Sequence, residues 1–345
     1  MVYIFFITMV ISVYFIFMFM KRERMICLMY HNVFDETVPG IIGKDEFEAH
    51  IKYIRGMKTF KMEELESLNY RLPENTILVT FDDGYKNNYT NAFPILKKYN
   101  IKATVFLNTE YIEKDKSYLN WEEIREMYES GLIDFQMHTH SHSPTIRKTE
   151  LKGFFEKNEG EFVKREYFTI FSNCTVEKDF RKFNFTGLPV FKIRSQIAIK
   201  GYKLKDDFLS KYKKIENDKN FQKKSVKDKK KYLNLEFKKN NEKYFDKVTD
   251  KEFGEKLAFE ITVNKKIIEE KLNKKAEYLA YPWGHVYSGK VKDIENMGVK
   301  GFVLTTGGIN RRKLNYKKIL RVNGDAIKEH DKFLKEIKKV YKLER

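Results

Sequence analysis

A strand–helix rhythm constrains this chain more than any other feature. "MICLMY" reads as a buried strand, and "KDEFEAHIKYIRGM" then sets Phe47, Ile51, Ile54 and Met57 at helical spacing. After a short helix in "MEELESL", the run "TILVTF" is a strand and "YTNAFPILKKY" a helix with Pro94 near its first turn. "KATVFLN" and "LIDFQM" are strands, separated by the helix "NWEEIREMYESG", which Asn120 opens and Gly131 closes. Such alternation predicts parallel strands joined by helical crossovers, the α/β class. It stops near residue 150 and resumes with a helix near "FGEKLAFEITVNKKIIEEKL" and a strand at "AEYLAYP". A helix around "KVKDIENMG", a strand "KGFVLTT" and an amphipathic helix in "HDKFLKEIKKVYKL" complete it. One α/β domain, residues 23–150 and 252–345, is therefore expected to be interrupted by an insertion over 151–251.

That insertion holds the densest basic run, "KYKKIENDKNFQKKSVKDKKKYLNLEFKKNNEKYFDK". Its sequence reads as a solvated, partly helical face or a loop. The whole chain carries a formal charge of +18, which favours anionic partners such as phospholipid head groups or acidic polymers. No recognisable nucleic-acid module accompanies that charge, so no nucleic acid is expected as a partner. Cys27 and Cys174, far apart in sequence, supply neither a disulfide framework nor a cysteine-based zinc site. Residues 1–20 contain no charged side chain and lack the pattern of a cleavable signal peptide. They predict an uncleaved transmembrane anchor over 1–22, with membrane lipid as a partner. "KRER" at 21–24 follows at once and, by the positive-inside rule, points the remainder toward the cytoplasm.

The chemistry is concentrated where strands end. "TILVTF" runs directly into Asp82 and Asp83, then Gly84. "MYHN" places His31 after the first strand, "MHTHSH" places His138, His140 and His142 after another, and "AYPWGH" brings Tyr281, Pro282, Trp283 and His285. The carboxyl ends of parallel strands are where α/β domains set their active sites. Two histidines from one segment and a carboxylate from another make a ligand set for a catalytic divalent ion such as zinc, with a position open to water. The neighbouring carboxylate is then available as general base. Without a cation the two adjacent acids would raise one another's pKa.

These residues resemble the NodB-type polysaccharide deacetylases, carbohydrate esterase family 4. The T-F-D-D-G motif is Thr80 to Gly84 unchanged, and H-[ST]-x-x-H is "HTHSH" with His138, Thr139 and His142 in place. "LMYHNV" and "YLAYPWG" look like the branch acting on poly-β-1,6-N-acetylglucosamine. The resemblance covers roughly 25–150 and 252–325 and leaves the insertion outside. It implies a distorted (β/α) barrel and a metal-dependent hydrolase removing N-acetyl groups from a glucosamine-containing polysaccharide or lipid-linked saccharide. It further implies Asp82 as base, Asp83, His138 and His142 as ligands of one divalent ion (zinc, with cobalt or nickel as alternatives), and the backbone N–H of Tyr85 at the oxyanion. Tyr281, Pro282 and Trp283 would meet the sugar. The family's arginine that holds the base has no counterpart in "AYPWG", and Arg321 in "ILRVNGD" is the substitute. The late L-x-H motif is absent, so His31 or His285 would be the general acid. A protein that keeps the fold and binds glycan without catalysis is the alternative. Such deacetylases face the envelope, against the direction of "KRER".

Overall fold

A computed structural model describes residues 23–327 and 330–341, together with residues 6, 9 and 11. Among these described residues no helix is long and apolar enough to cross a membrane. The anchor expected over 1–22 lies outside them, apart from those three positions.

Six strands form the body of one sheet: β1 (Arg24–Tyr30), β2 (Thr76–Phe81), β3 (Ala103–Leu107), β4 (Ile133–Met137), β5 (Tyr278–Ala280) and β6 (Gly301–Val303). Each pairs in parallel with the next, so spatial order follows chain order without reversal. A doubly wound sheet would reverse direction at a switch point; sequential order is the winding of a (β/α) barrel. The segment Ile319–Asn323 joins the two outer strands. Ile319 bridges Val303 of β6, while Val322 and Asn323 pair with Leu28 and Met29 of β1.

Alternate side chains explain the core. Met25 and Cys27 of β1, Leu78 of β2, Phe106 of β3, Tyr278 and Ala280 of β5 and Val303 of β6 meet in one buried cluster with Met62, Leu65 and Leu72. Strands buried on both faces read as continuous apolar runs, which is why "TILVTF" and "ATVFL" stand out in the sequence. The helix Trp121–Glu129 starts where expected, with the Asn120 side chain accepting from Glu123 N–H and the Glu123 side chain accepting from Asn120 N–H. The run "YTNAFPILKKY" departs from a simple helix. Residues Asn88–Ala92 form a π-helical turn, and the α-helix proper is Phe93–Tyr99 with Pro94 in its first turn.

The chain divides into two compact units: Met1–Ser141, Ile261–Gly284 and Lys292–Arg345 in the first, His142–Glu260 and His285–Val291 in the second. The second is wider than the Lys-rich 151–251 segment, because its longest strand, Pro144–Phe154, begins earlier. It has its own antiparallel sheet, in the order Phe245–Lys247, Tyr202–Leu204, Pro144–Phe154, Pro189–Ser195. The basic run is not a loop. It forms the helices Phe208–Glu216, Lys219–Gln222 and Val226–Lys239, which bury Phe208, Tyr212, Phe221, Leu233 and Phe237 and turn their lysines outward. Phe171, Phe185, Phe191 and Phe245 join the same core.

Candidate active site

Asp82 and Asp83 follow β2 immediately, and both are buried. Two adjacent residues in extended backbone would point to opposite sides. Here Asp83 takes φ 74° and Gly84 φ 77°, so the chain turns and both carboxylates remain at the strand end. A side chain at position 84 is barred twice, by that φ and by Leu107, whose Cδ2 would lie 2.6 Å from a Cβ there. Thr139, His142 and Trp283 also hold positive φ, at 70°, 51° and 52°. Backbone of this kind in non-glycine residues is costly and gathers at functional sites.

Asp83, His138 and His142 each bring one donor atom to within 4.8 Å of the others, and all three are buried. Their surroundings already hold them in that orientation. Asn108 Nδ2 donates to Asp83 Oδ1 at 3.0 Å. His138 Nδ1 lies 2.8 Å from the carbonyl of Ala280, so its proton sits there and Nε2, 3.4 Å from Asp83 Oδ1, carries the lone pair. One carboxylate oxygen and two imidazole nitrogens are the donor set of a catalytic divalent site, and the arrangement fits an ion of the zinc type. His140 lies outside the group, its Nδ1 2.9 Å from Thr109 Oγ1.

Asp82 is held differently. Arg321, itself fully buried, donates from Nη1 to Asp82 Oδ1 at 2.6 Å and from Nη2 to Oδ2 at 2.7 Å. Its Nε donates to Leu304 O and Nη1 also reaches Thr80 Oγ1, so each of the three guanidinium nitrogens is held. Burial pushes the Asp82 pKa up, but the charge and hydrogen bonds of Arg321, together with His138 and His31, outweigh it and keep Asp82 below the ordinary carboxylate value. The arginine reaches this place from the Ile319–Asn323 segment.

His31 follows β1. Its Nδ1 is 2.6 Å from Asp325 Oδ2 and its Nε2 is 3.9 Å from Asp82 Oδ2. Burial opposes a charge on this ring, but the hydrogen bond to Asp325 and the carboxylates of Asp82, Asp325 and Asp83 raise its pKa to about 9. His285 behaves in the opposite way. It belongs to the second unit, its Nδ1 accepts from Ser195 N–H at 3.1 Å, and burial together with Arg194 and Arg147 lowers its pKa to about 4. A ring neutral above that pH has no proton to give on Nδ1, which is committed as an acceptor.

Tyr85 lies just past the Asp83–Gly84 turn, its ring 5.0 Å from that of Tyr118. The hydrogen bonds Lys86 N–H to Ser117 O and Leu119 N–H to Gly84 O pin the backbone on either side of it. Tyr281 is buried and stacks on Phe302, and Pro282 is buried as well; of the three only Trp283 is partly exposed. Gly284, at φ 67°, lies so close to Thr305 that no side chain would fit there.

Asp325 and Asn108 escaped the sequence reading. Asn108 has the signal that singled out Asp82, a polar residue just past an apolar strand, in "VFLN", whereas Asp325 in "VNGD" follows only the two-residue strand Val322–Asn323 and Gly324. Neither belongs to the family motifs that carry the resemblance, and a lone polar residue at a strand end is common turn chemistry.

Comparison with known proteins agrees with the motifs. Residues 69–166 match the family model described as polysaccharide deacetylase. The Bacillus subtilis protein YxkH, named for polysaccharide deacetylation, is 37% identical over 127 residues, which are 35% of this chain and 44% of that one. A Staphylococcus aureus poly-β-1,6-N-acetyl-D-glucosamine N-deacetylase is 28% identical over 152 residues, 42% of this chain and 49% of the relative. The alignments thus span about half the length of these relatives or less. Among solved structures, a de-N-acetylase from Aggregatibacter actinomycetemcomitans superposes with a TM-score of 0.58 at 16% identity, covering 91% of this chain and 99% of that one. IcaB from Ammonifex degensii gives 0.52 at 18% identity, with 92% and 97% covered. At these identities the structures speak for the fold, which is that of the deacetylases. The chain resembles the NodB-type polysaccharide deacetylases in sequence motif, family model and fold.

Proposed function

We propose that this protein hydrolyses N-acetyl groups on a glucosamine-containing glycan, with a divalent metal as cofactor. The observation that carries this reading is the pairing of two carboxylates with two separate tasks. Asp83 stands with His138 and His142 as a ligand set, while Asp82 is kept ionised by Arg321 one residue away.

A divalent ion held by Asp83, His138 and His142 would supply Lewis acidity toward the amide carbonyl and the attacking water. Asp82 accepts the proton of that water, and Arg321 keeps its carboxylate both oriented and charged. The oxygen of water forms its bond to the carbonyl carbon, and the Tyr85 N–H donates to the oxyanion. His31 then gives its Nε2 proton to the sugar nitrogen as the C–N bond breaks, while Asp325 holds Nδ1–H. Acetate and a free amine are the products. Trp283 offers its exposed edge to a sugar ring, and the buried Tyr281 and Pro282 fix the turn that presents it.

The S. aureus relative's named substrate supports poly-β-1,6-N-acetylglucosamine as the first polymer to try; a lipid-linked saccharide of the envelope is the second. The test is acetate release from β-1,6- and β-1,4-linked N-acetylglucosamine oligomers, with chelator and with zinc, cobalt or nickel restored. Metal-restored release is the expected result. Stoichiometric metal without release from any glycan would favour the glycan-binding protein on the same fold.

A further inference from the structure

His138 and His142 have very different groups at their backs, one at hydrogen-bond distance and one at ion-pair distance. Behind His138 is a backbone carbonyl, Ala280 O, at 2.8 Å from Nδ1. Behind His142 is a carboxylate, Glu166 Oε1, at 3.6 Å from Nδ1, with the glutamate side chain 12% exposed and the histidine 7%. Glu166 is not one of the residues whose donor atoms cluster within 4.8 Å, so among the described residues it stands outside the ligand set.

The position of Glu166 is not left to a flexible loop. It lies in the helix Glu161–Phe171, whose Tyr167, Ile170 and Phe171 are buried in the phenylalanine-rich core. Tyr167 Oη donates to Phe191 O at 2.7 Å and its ring meets Phe155 edge-on at 5.0 Å, which fixes the rotation of the helix about its axis. Arg165, next in sequence, is buried too and lies over Phe180. The helix register therefore sets the glutamate against His142.

We propose that Glu166 is a positioning residue for the metal site: its carboxylate receives the Nδ1 proton of His142, fixes the tautomer that leaves the lone pair on Nε2, and makes that nitrogen a stronger donor. A carboxylate behind a ligating imidazole raises its basicity and removes its freedom to rotate. Glu166 is the last residue of the family-model match and lies in the segment read from the sequence as an insertion, so that segment supplies the group behind His142. This rests on the reading of Asp83, His138 and His142 as metal ligands.

The test measures zinc affinity of the full chain by competition with a chromophoric chelator, for the wild type, Glu166→Ala and Glu166→Gln. Thermal unfolding of the metal-free proteins is followed alongside. Wild type is expected to bind one zinc, Glu166→Ala to bind about 10–100-fold more weakly, and Glu166→Gln to fall between, with metal-free midpoints unchanged. Affinity equal to wild type in Glu166→Ala overturns the proposal. If the alanine variant does not fold, Glu166→Gln decides, and an unchanged affinity there overturns it equally. A wild-type chain that binds no zinc, cobalt or nickel removes the ligand reading itself, an outcome distinct from failure of Glu166 alone.

Discussion

At the scale of single residues, the site assigns opposite protonation states to neighbours a few ångströms apart. Asp82 is ionised because Arg321 stands against it, and His31 is charged because carboxylates surround it. Replacing Asp82 by Asn keeps the volume and leaves the ligand set intact, so bound zinc should persist while kcat falls by about 10³-fold, within the range for a general base. An active Asp82→Asn enzyme would remove Asp82 from the proton transfer. The alkaline limit belongs to His31. A group whose pKa is raised loses its proton only as pH passes the raised value, so kcat/KM should decline as pH rises through about 9. Asp325→Asn takes away the charge behind Nδ1, and the His31 pKa then falls back toward 6.5. The alkaline limb of the profile should move down with it. A limb that stays in place in Asp325→Asn would show that the proton comes from elsewhere. That Asp82 and the group Asp83, His138 and His142 would cluster was legible because motif, strand end and residue type coincided at each. The Arg321–Asp82 pair was only half legible. Its members lie 239 positions apart, and nothing local to "ILRVNGD" reveals which acid the arginine meets.

At the scale of elements, the sequence read best where burial is two-sided. β1 after Arg24, β2 and β3 are nearly continuous apolar runs, while β4 alternates Ile133, Phe135 and Met137 with the buried Asp134 and Gln136; the ends of all four can be placed to within a residue or so from the polar residues that follow. The strand Pro144–Phe154 was not legible at all. Its pairing with Pro189–Ser195 shifts register between Ile146 and Lys148, again before Leu151, and again before Gly153. Each irregularity moves the buried positions, so the period-two pattern that signals a strand never forms. The π-helical turn Asn88–Ala92 was hidden for a related reason, since an extra residue per turn has no composition of its own. The turn after β2 is the element on which the site depends most. Gly84→Ala would place a Cβ in a left-handed conformation and against Leu107, and we expect it to cost about 1–3 kcal/mol of stability. Because Asp83 precedes this residue directly, zinc affinity should weaken in the same variant. Denaturant unfolding of the metal-free chain and the chelator competition measure the two effects. A variant with native stability and native affinity would show that the turn tolerates a side chain.

At the scale of the molecule, the sequence showed where the barrel pattern stops but not what replaces it. Residues 151–251 looked like solvated lysine-rich chain because lysines dominate its surface, while the aromatic residues that build its core are spread among them without a single period. The excess charge of +18 is therefore a surface property of a folded protein, suited to acidic surroundings and silent about which side of a membrane they lie on. Two signals conflict on that point. After the anchor expected over 1–22, "KRER" at 21–24 would place the domain in the cytoplasm by the positive-inside rule, whereas a surface polymer as substrate would lie outside it. We propose that the catalytic domain faces the envelope, because a site built for N-acetyl groups of a surface glycan has its substrate there. The chain offers a clean probe. Cys27 is fully buried, and burial pushes its thiol pKa up to about 12, so it will not react. Cys174, half-buried with its Sγ 3.1 Å from Lys205 O, is removed as Cys174→Ser. Val176→Cys then places one thiol at a position 95% exposed. A membrane-impermeant maleimide applied to intact cells should label it as fully as it does after lysis. Labelling only after lysis would put the domain in the cytoplasm, and the substrate would then be a saccharide on its lipid carrier at the inner leaflet, reached before the polymer is made.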